Sequence, residues 1–192
     1  MSIPVMIPHT RQRGMVLVTA LLLLLVVTII AVTMFHSFGT QERIASNVRE
    51  KQRALHAAES AQQYAEWWLS MGNGNNVGPC TTVLLVSAAQ VCQNKLIDGV
   101  PNSNVAAVPW MIAGAEVGVT YAPPEMTVAT TASASTYFKS PSFYISYIGL
   151  ADGGKSTIYQ IDAVGYGGRA DAVAVVESTY KLQAGPKPLD GL

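Results

Sequence analysis

Few side chains in this sequence are placed for covalent or metal chemistry. The two cysteines are Cys80 and Cys92, and the histidines His9, His36 and His56 lie far from them along the chain. Two cysteines without a nearby histidine do not make a zinc site. Outside the cytoplasm the pair reads as one disulfide; in the cytosol it reads as two unrelated buried thiols. A bridge would close a loop worth about 3 kcal/mol on the entropic account. Asp152, Asp162 and Asp171 invite a calcium reading, but their spacing fits no calcium loop, and solvated turn positions suit them better. No serine lies in Gly-x-Ser-x-Gly, and no histidine–carboxylate pair stands out. The glycine cluster from Gly165 to Arg169 falls between two strand-like runs, not between a strand and a helix, so it is no phosphate cradle. These residue types describe a structural subunit, not an enzyme, with no cofactor and no metal.

Composition narrows the field further. The 192 residues leave room for one modest domain plus an apolar segment. Charged residues make up 12% and cancel to a net charge of zero. There is no basic stripe for nucleic acid and no polybasic patch for anionic lipid, so no nucleic-acid partner is expected.

The element that dominates the chain is the run from Met15 to Phe35, which carries no charge. Its 21 residues span roughly 31 Å as a helix, the thickness of a bilayer's hydrocarbon core. Six Leu, five Val, two Ile and a Phe favour insertion by about 4 to 8 kcal/mol. Arg11 and Arg13 precede the run, which keeps the N-terminus in the cytoplasm and sends the rest outward. A secretory signal would have a shorter apolar region and a small-residue cleavage site after it. Here an amphipathic, charged stretch follows instead.

The junction before the run carries a resemblance. Two arginines, Gly14 and an unbroken apolar helix resemble the class III signal of type IV pilins. In that family a membrane-embedded prepilin peptidase cuts after the glycine on the cytoplasmic side and N-methylates the new first residue. The resemblance implies cleavage between Gly14 and Met15. A glycine suits the position because it lacks a side chain and weakens the helix locally. Most pilins carry a membrane-buried glutamate at the position that falls on Thr19, thought to pair with the terminal amine of a neighbouring subunit. Here the chain departs from the pattern. A carboxylate there would cost up to ~3 kcal/mol in the bilayer unless paired. Minor subunits at a filament tip, including PilX-type pilins and GspK pseudopilins, lack it.

Past Gln41 the helical pattern continues with charges. Ile44, Val48, Leu55, Ala58, Ala61, Ala65 and Trp68 step by three or four, with Lys51 in one gap, and predict one apolar stripe. No proline interrupts Met15 to Leu69, so one helix of about 55 residues is expected, loosened at His36–Gly39 and ended by Gly72-Asn-Gly-Asn-Asn. The alanine-rich stretch 54–65 permits close packing. Of the adjacent Trp67 and Trp68, one belongs in a core and the other faces outward. The stretch IASNVREKQRALHAAESAQQYAEWWL is similar to the PilX-type helix pattern, with Asn47, Arg49, Ala57, Ala58 and Glu59 in register. A solvated helix position is the plain alternative for Glu59.

Beyond Gly72 the periodicity shortens. SFYISYIG, STIYQIDAVGYG and ADAVAVVESTYKL alternate apolar with polar and are separated by Ala151–Gly154 and Gly165–Arg169, which predicts a three-stranded antiparallel meander over 143–182. TTVLLVS reads as a strand or a short helix. Residues 73–142 otherwise give little pattern.

The expected fold is α+β: a long N-terminal helix, transmembrane then amphipathic, packed by its stripe on a C-terminal antiparallel sheet, the pilin architecture. The expected parts are a cleaved leader 1–14, a membrane half 15–36, a periplasmic half 37–71 and a head 72–192. The resemblance implies a minor pilin at or near the tip of a type IV pilus, priming assembly. It implies a start in the inner membrane, with the N-terminus cytoplasmic and the head periplasmic. Its partners would be lipid first, then prepilin peptidase, other minor pilins and the major pilin through the helix, and a tip adhesin of the PilY type. Two alternatives stand beside it: a GspK-like pseudopilin of type II secretion, whose usual large insertion 192 residues cannot hold, and an unprocessed single-span periplasmic binding module.

Overall fold

A computed structural model describes residues 13–96, 104–131, 133 and 135–183, without the side chains of 13, 14, 36 and 37. Most of the expected leader, including Arg11, thus lies outside the described residues. The chain forms two compact units, Met1–Ser46 and Asn47–Leu192. Helix α1, Arg13–Ser70, is 58 residues long and contributes to both. Its backbone stays helical through 36–39, where a looser stretch was expected.

In the first unit the apolar run is exposed apart from the half-buried Ala31, and it is long and apolar enough to cross a membrane. Its hydroxyls turn inward on their own helix. Thr19 donates to the carbonyls of Met15 (3.1 Å) and Val16 (3.0 Å), Thr28 to Leu25 (2.8 Å) and Thr33 to Ile30 (2.8 Å). Such back-bonding removes the penalty of a bare hydroxyl in hydrocarbon. At its far end α1 stops at the glycine–asparagine cluster. Gly72 N–H donates to Leu69, and the Asn73 amide donates to the Trp68 carbonyl at 2.9 Å, satisfying orphan carbonyls.

The second unit carries the sheet. Strands β1 (Val77–Gly78), β2 (Val83–Leu85), β3 (Val91–Cys92), β4 (Met111–Ile112), β5 (Ala115–Glu116) and β6 (Gly118–Thr120) are short. Strands β7 (Ser142–Ala151), β8 (Ser156–Tyr166) and β9 (Val173–Gln183) are long and form the expected antiparallel meander. The other edge of β7 is shared: β6 pairs with it antiparallel at Phe143, and β3 pairs parallel at Ser146. Parallel β1 on β3 and β2 on β6 complete a seven-stranded sheet among the described residues, while β4 and β5 form a separate hairpin. TTVLLVS is both things at once, strand β2 followed by a 3₁₀ turn over Val86–Ala88.

The meander is covered on both faces, as the strand period of two allows. Phe143, Ile145, Tyr159, Ile161 and Ala163 cluster with Ala61, Ala65, Trp68 and Leu69 of α1. Tyr144, Val164 and Tyr166 cluster with Trp110, Val117, Leu96 and the two cysteines. The helix face in the core is not the whole expected stripe. Ala54, Ala57, Ala58, Ala61, Ala65, Trp68 and Leu69 are buried, whereas Ile44, Val48 and Leu55 are 63%, 50% and 39% exposed. The reason is angular: Leu55 stands roughly 100° around the helix from Ala54, off the face that the sheet occupies. Small residues on the buried face let a sheet backbone approach, which a leucine row would prevent.

Candidate functional site

The features that set this chain apart lie on α1, at three levels along it. The first is the Gly14–Met15 bond, which falls in the opening turn of the helix. Met15 is 72% exposed, and the Thr19 hydroxyl occupies itself with the Met15 and Val16 carbonyls. A threonine so engaged supplies no negative charge to an ammonium group.

The second level is the motif stretch. Ala57 and Ala58 are buried against the sheet, but Asn47 and Arg49 are exposed, and Glu59 is half-exposed, 3.2 Å from His56 Nδ1. The motif positions therefore do not converge on one site. Beside them a cleft of about 270 Å³ runs between α1 and the 123–137 segment, lined by His56, Ala57, Ser60, Pro123, Met126 and Tyr137. Tyr64 stacks on Tyr121 at 4.5 Å between ring centroids, and Trp67, 53% exposed, leans on Tyr64 at 5.4 Å. Trp68 is the buried member of the tryptophan pair.

The third level is a polar junction that the sequence reading passed over. Glu50 and Arg53 pair at 2.9 Å, one helical turn apart and both mostly buried. The Arg53 guanidinium also donates to the carbonyls of Thr136 (2.7 Å) and Ser133 (3.4 Å) and lies 4.6 Å over the Tyr137 ring. Glu50 in turn accepts from the Gly168 N–H in the β8–β9 turn. Burial pushes the Glu50 carboxyl up, but the Gly168 N–H and the Arg53 and Arg49 charges outweigh it and leave it below its ordinary value. The signal was present as Glu-x-x-Arg on the helix and Gly-Gly in the turn. Nothing in one sequence says that they meet.

Cys80 and Cys92 form a disulfide, buried in the second core and tying the start of the β2 loop to β3. The three aspartates stay apart. Asp152 accepts from Ser156 at 2.9 Å and pairs with Lys181, Asp171 pairs with Arg169 at 2.7 Å, and Asp162 is buried in β8, accepting from Gln160 at 3.1 Å. Among the described residues no group of three or more His, Cys, Asp or Glu could hold a metal ion. The arrangement presents an exposed apolar helix and a polar clamp between helix and head.

Two family models match the chain. The model described as PilX N-terminal covers residues 13–62, and the one described as type IV pilus assembly protein PilX C-term covers 88–182. No curated protein and no solved structure matches it. The first model takes in the apolar run and the alanine face of α1 as far as Ala61, and the second takes in the disulfide's Cys92 and the meander to Leu182. By these two matches, spanning helix and head alike, the chain belongs to the PilX family of type IV pilus minor pilins, a structural family.

Proposed function

We propose that this minor pilin is inserted in the inner membrane with its N-terminus cytoplasmic and its head periplasmic. Prepilin peptidase then cuts it between Gly14 and Met15, and it joins other minor pilins in a complex at or near the pilus tip that primes assembly. The apolar half of α1 would exchange lipid for the helices of neighbouring minor and major pilins as the subunit leaves the bilayer. A tip adhesin of the PilY type is the expected outer partner.

One observation carries the tip assignment: Thr19 stands where a carboxylate would neutralise the amine of the next subunit, and its hydroxyl is spent on its own helix. A subunit that offers no counter-charge suits a position with no subunit beyond it. Burying an ammonium without a partner in hydrocarbon is unfavourable by several kcal/mol on the order of the desolvation penalties for ions. The test is the intact mass and N-terminal sequence of the protein from native membranes, with and without active prepilin peptidase. Loss of residues 1–14 and one added methyl on Met15, both dependent on the peptidase, are expected. Retention of Met1–Gly14 in both strains rejects processing and returns the chain to a plain anchored domain.

A further inference from the structure

Four residues from three separate elements close a ring of hydrogen bonds beside α1. Arg53 donates to Glu50 (2.9 Å) and to the Ser133 carbonyl (3.4 Å). The Ser133 N–H donates to the Gly168 carbonyl (3.2 Å), and the Gly168 N–H donates back to Glu50. The ring thus joins the helix, the 127–138 segment and the β8–β9 turn. Gly168 belongs in it by shape, since a β-carbon there would stand 2.0 Å from the Ser133 carbonyl oxygen and 2.9 Å from the Arg53 guanidinium.

The two ends of the 127–138 segment are tied together, with Ala129 N–H donating to the Tyr137 carbonyl and Tyr137 N–H to the Thr127 carbonyl, each at 2.9 Å. It lies over buried groups: Phe138 packs at 6.2 Å on Tyr166, and Tyr137 lines the cleft against Ala57. The only other polar tie between this segment and the β8–β9 turn, among the described hydrogen bonds, is Phe138 N–H to the Gly167 carbonyl at 2.7 Å. The helix side of the ring is held by two charged groups alone.

We propose that the Glu50–Arg53 pair is a latch: it fastens the 127–138 strap over Tyr166 and the Ala57 flank of α1, and loss of either charge releases the strap without opening the sheet. Neutralising Glu50 removes the negative charge that strengthens its bonds from both Arg53 and Gly168. Arg53 then keeps only neutral carbonyls and the Tyr137 ring. The charged or titratable groups around Glu50 are Arg49, Lys51 and Arg53 on α1 and Tyr137 on the strap, with His56 and Glu59 paired one turn further along beside the cleft. Arg169 in the turn is engaged with Asp171. Asp171 is turned to Arg169, so Glu50 is the carboxylate hydrogen-bonded into the ring, and acid acts on the ring through it.

The experiment is hydrogen–deuterium exchange on the full chain in detergent, comparing peptides from 127–138 with peptides from β8. Glu50→Gln and Arg53→Met at neutral pH are each expected to speed strap exchange about tenfold, the loss of one charge-assisted hydrogen bond, with β8 unchanged. In the unaltered chain, strap exchange corrected for intrinsic rates should rise on acidification, and Glu50→Gln should remove that step. Unchanged strap exchange in both variants overturns the latch. So does exchange that rises in β8 together with the strap, or an acid step that survives Glu50→Gln. Should Glu50→Gln fail to fold, Arg53→Met alone decides by the same comparison.

Discussion

A β-carbon on Gly165 would stand 2.3 Å from the carbonyl oxygen of Ala54. It would also stand 2.3 Å from the amide nitrogen of Ala58, so strand β8 lies directly on the helix backbone between two alanine turns. This contact explains why the buried face of α1 is a row of alanines from Ala54 to Ala65 and why the glycine cluster begins where it does. The cluster serves close packing, not a ligand.

Replacing Gly165 by alanine forces strand and helix apart, because the atoms it meets are backbone and cannot rotate away. A loss of about 3 kcal/mol of head stability is expected, at the upper end for overpacking. Gly149 on β7 is the control, with nothing within 4 Å of its β-carbon position. Gly149→Ala should leave the unfolding midpoint in denaturant unchanged or slightly raised. Equal effects at both positions would mean that the helix and β8 do not touch as described.

The Cys80–Cys92 bridge should matter more than its size suggests. It spans 12 residues of separation and lies beside strands of only two or three residues, which have little ladder to hold them. Changing both cysteines to serine is expected to cost about 3 kcal/mol. Denaturant unfolding with and without reductant measures it. No effect of reductant on the unaltered chain would rule out the bridge as a staple.

Much of this architecture is legible in the sequence, and what is missed follows a rule. α1 declares itself because it is long and its apolar and alanine periods persist. The meander declares itself because β7, β8 and β9 each run ten or eleven residues with turn formers between them. Strands β1 and β3, two residues each, are too short to show a period, and their parallel pairing depends on the distant edge of β7. The same holds for the junction. Arg49, in register with the family pattern, is exposed, while Arg53, four residues on, does the fastening. Spacing along one helix assigns faces, but only the neighbouring turn decides which arginine finds a carbonyl. The expected stripe holds from Ala58 to Trp68 and fails at Ile44, Val48 and Leu55, because small side chains, not hydrophobicity alone, select the face that β8 approaches closely.

Glu50 also fixes a direction for acid stability. Its carboxyl is held below the ordinary value of 4.5, so the folded state binds its proton less readily than the unfolded state does. The stability it contributes is fully present above the unfolded value and is lost as pH falls through the folded one. Denaturant midpoints should therefore drop between neutral pH and the acid side of that range, and drop less in Glu50→Gln. Asp152, lowered chiefly by Lys181, works in the same direction, but it is exposed and adds little. An equal acid loss in both proteins would assign the effect to other carboxylates.

Thr19 offers the sharpest test of position in the filament. If the missing carboxylate is what confines this subunit to an end, supplying it should free the subunit to enter the shaft. Thr19→Glu lies where the helix is exposed to its surroundings, so the substitution meets no steric bar within the chain. An unpaired carboxylate there costs up to ~3 kcal/mol in the bilayer, offset when a neighbour's amine reaches it. Immunogold labelling of the head along sheared pili reads the outcome. The unaltered protein is expected at filament ends and the Thr19→Glu protein along the length. Labelling of the unaltered protein along the whole shaft would overturn the tip assignment outright. Labelling of both proteins at the ends alone would show that something other than Thr19 sets the position, and the exposed Val48 and Leu55 flank of α1 would be the next feature to alter.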